Sequence, residues 1–289
     1  MAFVSRDAVW LVGSKGRLAR ALERRLSRNK YTVITTDVEL DVADHAKVMA
    51  YAEQNRPRFI VNCAGYAVQQ GKDIDSLTAY RINALGARNL AIAAEMIGAT
   101  LVHFSTDDIF EGERTAHNEF DSACPRTVYA KSKLAGESMV RALCPRHIIV
   151  RSSWVYTALP YDMINKAVCS AIAKEPMEVA MNQFAAPTSV ETVATFILKA
   201  MEADQFGTFH VTDKGITSRY NFLSRALRNL GLTDDYLIAT NKVEDGFRVE
   251  LENLMLQITG AYDTPTWEED LKEYMAAHTW PAEEEEEVE

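Results

Sequence analysis

Tyr129 and Lys133 stand four residues apart in Val128-Tyr-Ala-Lys-Ser-Lys-Leu-Ala-Gly-Glu137, a stretch that reads as helix over 128–143. At that spacing two helical side chains share a face. A free phenol titrates near ~10, and an ammonium within a few ångströms favours the phenolate and lowers that value. The pair therefore suits proton transfer at a carbonyl or hydroxyl oxygen. Tyr-x-x-x-Lys also decorates many helix surfaces, so the upstream context decides. Thr106 follows an apolar run that reads as strand over 100–105. The carboxyl end of a central strand is where open parallel sheets bind ligands, and a hydroxyl there can donate to an oxygen that gains negative charge. A strand-end threonine that merely satisfies backbone groups is the plainer reading; Tyr129 and Lys133 downstream weigh against it.

A second constellation opens the chain. The run Gly13-Ser-Lys-Gly16-Arg-Leu-Ala19 joins a buried strand at 8–12 to an amphipathic helix at 18–27 with Leu18, Leu22 and Leu26 on one face. Glycines there permit a sharp turn and let backbone approach a pyrophosphate seated on the helix N-terminus, and small Ala19 lets the helix lie close to the sheet. Asp37 ends a second strand, 31–36, at the position where an acid bonds the adenosine ribose hydroxyls. A tight turn and a surface acid are the bland readings of each alone; together they indicate dinucleotide binding. Between Asp37 and Asp41 the chain adds acids and no Lys or Arg. A 2′-phosphate beside these carboxylates would meet like charge, so the sequence predicts NAD(H) over NADP(H), with NADP(H) tolerated.

These residues need a scaffold. Further strands are expected at 58–62 and 147–152. Helices are expected at 44–54 (capped by Asp44), 76–97, 163–174, 190–202, 218–230, 249–258 and 267–277, with one more strand at 208–212. Near-continuous apolar strands alternating with helices imply an α/β fold, a doubly wound parallel sheet covered on both faces. With 289 residues, of which 47% are hydrophobic and 25% charged, the chain supports a globular domain with a smaller lobe.

Of the 41 acids, six fall in the last seven residues, so 282–289 reads as a solvated, disordered tail. The remainder is only mildly acidic, which argues against nucleic-acid binding. No apolar run approaches the ~20 residues of a membrane span, and the start lacks the build of a signal peptide. Four scattered cysteines and six unpaired histidines give no metal-ligand spacing, so no metal is expected. The same cysteine usage suggests a reducing, cytoplasmic setting.

The chain resembles the dTDP-4-dehydrorhamnose reductase group of the extended short-chain dehydrogenase/reductases. The matching blocks run from the glycine loop through Leu40-Asp-Val-Ala-Asp44, Val61-Asn-Cys-Ala-Gly-Tyr-Ala67, Ile82-Asn-Ala84, Ser105-Thr-Asp107 and Tyr129 to Glu137. They continue through Val150-Arg-Ser-Ser-Trp-Val-Tyr156, Ala186-Pro-Thr188 and Pro265-Thr-Trp-Glu-Glu-Asp-Leu-Lys-Glu-Tyr274. The Trp-Val-Tyr and Pro-Thr blocks mark the subgroup rather than the superfamily. The resemblance implies a Rossmann domain over 1–155 and about 188–213, with a substrate-binding lobe over 156–187 and 214–281. It implies that Gly13, Gly16, Arg17 and Leu18 lie against the pyrophosphate, Asp37 against the ribose, and Asp41 and Val42 beside the adenine. Ala64, Gly65 and Tyr66 would line the cofactor. Thr106, Tyr129 and Lys133 would be catalytic, with Thr106, Asp107, Trp154 and Arg248 bordering the substrate.

The implied activity is NAD(P)H-dependent reduction of a 4-keto nucleotide-linked deoxysugar for polysaccharide synthesis, and the resemblance is compatible with a homodimer. Three departures fall on the substrate side. Asp108 replaces the usual tyrosine, Val68-Gln-Gln-Gly-Lys72 replaces an acid-containing block, and Gly246-Phe-Arg-Val249 keeps only Arg248 of an Arg-Pro block. Two alternatives stay open: an epimerase or dehydratase of the same superfamily, with Asp107 and Asp108 as acids, and a non-catalytic regulatory subunit like the methionine adenosyltransferase beta subunit.

Overall fold

The chain is described from a computed structural model covering residues 7–29, 31–67, 74–110, 116–241 and 247–281. The Val68 to Lys72 block, Gly246 and the 282–289 tail lie outside these residues.

Strand β1 (Ala8–Val12) is apolar and buried at all five positions. Its neighbours are β2 (Thr32–Thr36), β3 (Phe59–Asn62), β4 (Thr100–Thr106), β5 (His147–Ser152) and the strand Gly207–His210. In space the order is Gly207–His210, β5, β4, β3, β1, β2, every pair parallel. The described residues form ten α-helices in chain order: α1 (Arg17–Arg28), α2 (His45–Asn55), α3 (Ser76–Tyr80), α4 (Ala87–Ile97), α5 (Val128–Leu143), α6 (Met163–Ala173), α7 (Val190–Glu202), α8 (Arg219–Asn229), α9 (Leu254–Thr259) and α10 (Trp267–Ala277).

Side-chain alternation along β1 shows how the sheet is filled. Val9 and Leu11 join the core beneath α1 and α7, with Leu22, Leu26, Val193 and Ile197. Trp10 and Val12 join the opposite core beneath α2, α4 and α5, with Val48, Leu90 and Val140. A parallel sheet buried on both faces reads as continuous apolar strands for this reason. The Trp10 indole, fully enclosed, donates to Thr36 Oγ1 at 2.9 Å, which satisfies its one polar atom. A third core, including Ile164, Val168, Leu223, Leu227 and Leu271, joins α6, α8 and α10 into the smaller lobe.

Two expectations need correction. The helix expected over 76–97 is interrupted by a π-helical turn, Arg81–Gly86, between α3 and α4. This turn is also where α5 crosses closest: a Cβ added at Gly136 would lie 2.2 Å from the Asn83 carbonyl oxygen, so glycine is what lets the two backbones meet. The helix expected over 249–258 begins only at Leu254. Before it, Phe247–Arg248 pairs with the strand Gln183–Ala185, and Leu251 bridges to His117. Val249 and Leu251 are buried at a spacing of two, the period of a strand rather than a helix.

Candidate active site

The first cleft lies over the carboxyl ends of β1, β2 and β3, about 500 Å³ in volume, lined by Gly13, Gly16, Asp37, Asp41, Val42, Ala64 and Gly65 among others. Gly13 has φ +75°, and a Cβ there would stand 2.6 Å from the Ala64 amide nitrogen, so only glycine allows the two loops to touch. Gly16 caps α1 without a side-chain acceptor, leaving first-turn amides to an anion such as a pyrophosphate. Asp37 accepts from the Lys15 amide at 2.8 Å and the Val38 amide at 2.9 Å, and carboxylate lone pairs remain for ribose hydroxyls. These residues fit a dinucleotide.

The expectation that no cation stands near is corrected. Lys15 and Arg81 line the same cleft, Arg81 paired with Asp41. Both come from other segments, outside the few residues that directly follow Asp37. Arg17 opens α1 but turns to Asp162, at 3.3 Å, and lines the second cleft instead. Leu18 packs against the cores beneath α1, and the Tyr66 backbone is held by Asn83.

The second cleft, about 340 Å³, adjoins the end of β4. Thr127 caps α5 by accepting from the Ala130 amide, which sets Tyr129 in the first turn facing Thr106. Lys133, one turn on, is buried and donates to the Phe104 carbonyl at 2.5 Å. Burial lowers its ammonium to about 8, against the pull of Glu137. Burial would raise the Glu137 carboxyl, yet Arg151, at 2.7 and 3.0 Å, and Arg141 bring it down to about 2.

The Tyr129 phenol departs from expectation. It lies above the usual tyrosine value, raised first by burial and then by Asp108 and Asp107, with the Thr106 hydroxyl and Arg17 opposing. Burial and the two aspartates outweigh the lowering expected from Lys133, whose ammonium donates to the Phe104 carbonyl. Thr106 Oγ1 lies 3.1 Å from Asp108 Oδ2 and 3.3 Å from Asp107 Oδ1, and accepts from the Asp108 amide at 3.2 Å. Burial and Asp108 push the Asp107 carboxyl up to about 7, although Ser153 donates to it at 2.6 Å. Asp108 keeps solvent contact at the cleft mouth; the surrounding walls still raise its carboxyl, with Thr106 and Arg219 opposing.

Trp154 lines this cleft with a left-handed backbone, φ +37°. The Arg219 guanidinium stacks over its ring at 4.0 Å and donates from Nε to Gln183 Oε1 at 2.9 Å. Arg248 is not among the lining residues; it stands on its short strand, 3.9 Å from Glu250. Beside Arg17, the cleft cation is Arg219, which sequence reasoning missed. One signal was present: Arg219 opens α8, a helix end that disfavours positive charge and so marks a cation held by other groups. Asn83 and Asp162 were missed as well. No group of three or more His, Cys, Asp and Glu positioned for a metal occurs among the described residues.

A parallel Rossmann-type sheet, a glycine turn over its carboxyl edge and a Thr/Tyr/Lys centre beside it define a nucleotide-cofactor oxidoreductase scaffold. The chain belongs to the family described as RmlD substrate binding domain, whose model matches residues 7–279. It is 31% identical over 276 residues to the spore coat polysaccharide biosynthesis protein SpsK of Bacillus subtilis, covering 92% of this chain and 96% of that one. It is 28% identical to the dTDP-4-dehydrorhamnose reductase of Escherichia coli, covering 89% and 85%. Among solved structures, dTDP-4-dehydrorhamnose reductase from Bacillus anthracis in complex with NADP superposes with a TM-score of 0.89 at 28% identity, covering 95% of this chain and 100% of that one.

Proposed function

We propose that this protein reduces the 4-keto group of a nucleotide-linked deoxysugar, in the service of polysaccharide synthesis. The observation that carries the reading is the meeting of Thr106 and Tyr129 on one cleft wall, with Lys133 buried one helical turn behind Tyr129, beside a glycine-turn cleft, in a chain whose relatives are named as such reductases over most of their length. When bound, a reduced nicotinamide supplies the hydride. Tyr129 supplies the proton to the sugar oxygen. Its raised pKa keeps that proton in place at neutral pH, as a general acid requires. Thr106 donates a hydrogen bond to the same oxygen, and Lys133 holds the cofactor ribose. Trp154 and Arg219 bind the nucleotide-sugar, and Arg248 belongs to its outer approach.

NADH is the proposed preference, supported by Asp37 on the ribose side, with NADPH accepted less well. The four cysteines are free thiols, consistent with a cytosolic enzyme. The test is consumption of NADH or NADPH with dTDP- and UDP-linked 4-keto-6-deoxysugars. Net oxidation of the nicotinamide supports the reading. Sugar conversion without net oxidation indicates an epimerase or dehydratase, and cofactor binding without any turnover indicates a regulatory subunit.

A further inference from the structure

Once Tyr129 has released its proton, the phenolate must be recharged before the next turnover. Lys133 donates to the Phe104 carbonyl and, in the reading above, reaches the phenolate only by way of the cofactor ribose. The Thr106 hydroxyl stands between the acids and the phenol: it lies 3.1 Å from Asp108 Oδ2 and 3.3 Å from Asp107 Oδ1, and shares its cleft with Tyr129. We propose that Asp108, acting through the Thr106 hydroxyl, is the positioning residue that returns the proton to Tyr129, so that this chain runs its recharging on the acid pair following Thr106. The inference rests on the reductive reading above.

The transfer balances. The Thr106 hydroxyl hydrogen moves to the Tyr129 oxygen while the Asp108 carboxyl hydrogen moves to Thr106 Oγ1. Tyr129 ends neutral, Thr106 is unchanged, and Asp108 becomes a carboxylate that takes a proton from solvent. Asp108 is suited to that last step because it keeps solvent contact, whereas Asp107 is buried and fixed by Ser153. The groups facing the pair are Tyr129 from α5, Arg219 from α8 and Arg17 from α1, with Asp162 balancing the two arginines. Two carboxyls sharing one threonine cannot both ionise easily, and both are shifted upward, so the pair holds a proton more readily than free carboxyls do. Below that ionisation the relay is loaded; as pH rises through it, the relay empties and turnover falls.

The experiment compares kcat against pH for wild type, Asp108→Asn and Asp108→Glu with one turned-over 4-keto nucleotide-sugar, alongside NADH affinity by fluorescence titration. Asp108→Asn keeps the shape but cannot give up a proton. Its kcat should drop by at least about tenfold with KM and NADH affinity unchanged, and the fall with rising pH should disappear. Asp108→Glu should restore both. An Asp108→Asn enzyme with wild-type kcat and pH profile overturns the relay, as does a loss that Asp108→Glu does not repair. Wild type that binds NADH but turns over no keto-sugar overturns the reductive reading and the relay together, whereas active wild type beside an unaffected variant overturns the relay alone.

Discussion

Asn83 Nδ2 donates to Ser132 Oγ at 2.8 Å, tying the π-helical turn to helix α5 inside the protein. Ser132 passes the contact on to the Tyr129 carbonyl at 2.7 Å. The same Asn83 amide brackets Tyr66, accepting from its N–H at 2.8 Å and donating to its carbonyl at 2.9 Å. One buried side chain thus joins the loop after β3 to helix α5, which carries Tyr129 and Lys133. Asn83→Ala leaves several of these polar groups unpaired, at a cost of about 1–3 kcal/mol. The melting temperature should fall and kcat with it. A variant that melts and turns over like wild type would show that the amide is not the lock.

Tyr129→Phe removes only the proton donor. Turnover should drop ~100-fold or more while NADH affinity stays near the wild-type value. Retention of more than about a tenth of kcat would exclude Tyr129 as the acid.

Trp154 and Arg219 form one stacked pair on the second cleft, the proposed substrate site. Trp154→Ala and Arg219→Ala should each raise KM for the nucleotide-sugar by about tenfold, or ~1.4 kcal/mol, without altering NADH binding. Loss of a core tryptophan would instead cost ~3–5 kcal/mol of stability. A large fall in melting temperature with unchanged KM would identify Trp154 as core.

The cofactor preference has a second handle in Arg81. Wild type should bind NADH more tightly than NADPH, by roughly tenfold or ~1.4 kcal/mol. Because Arg81 is paired with Asp41 on the cleft wall, it can exchange that partner for a 2′-phosphate. Arg81→Ala should weaken NADPH and leave NADH little changed. Equal weakening of both in a binding titration would place Arg81 against the adenine instead.

Asp213 is buried with no hydrogen-bond donor on either carboxyl oxygen. Burial and the neighbouring Asp270 push it up to about 10, while Asp270 accepts from Tyr156, Ser189 Oγ and the Ser189 amide. The folded chain therefore keeps a proton that the unfolded chain loses near ~4. Stability contributed at this site falls as pH rises from about 4 towards about 10. Asp213→Asn keeps a donor for Asp270 and removes the titration, so its melting temperature should exceed that of wild type by more at pH ~9 than at pH ~5. An identical difference at both would mean that Asp213 does not titrate in this range.

What was legible in the sequence was local. The glycine turn joins adjacent elements, and Tyr129 with Lys133 needs only helical spacing, so β1, α1 and α5 follow from neighbouring residues. Arg219, Lys15 and Arg81 reach their clefts through the topology, and no window around Thr106 or Asp37 contains them. The Tyr129 shift was misjudged for a related reason: spacing brings Lys133 near the phenol, but the direction of its Nζ depends on a carbonyl contributed by β4. Over 249–258 the apolar residues satisfied a helical count, and the strand partner that holds the preceding 247–248 in extended form lies more than sixty residues upstream in the chain.

The strand Gly207–His210 returns to pair with β5 only after the chain has built much of the smaller lobe. A fragment ending before it would present the N–H and C=O row of β5 to solvent. Such an open edge is a template for other chains, so the amino-terminal half made alone should self-associate rather than persist as a soluble cofactor-binding module. During synthesis the same edge stays open until the ribosome has released residue 210, and that interval is when the nascent chain most needs shielding.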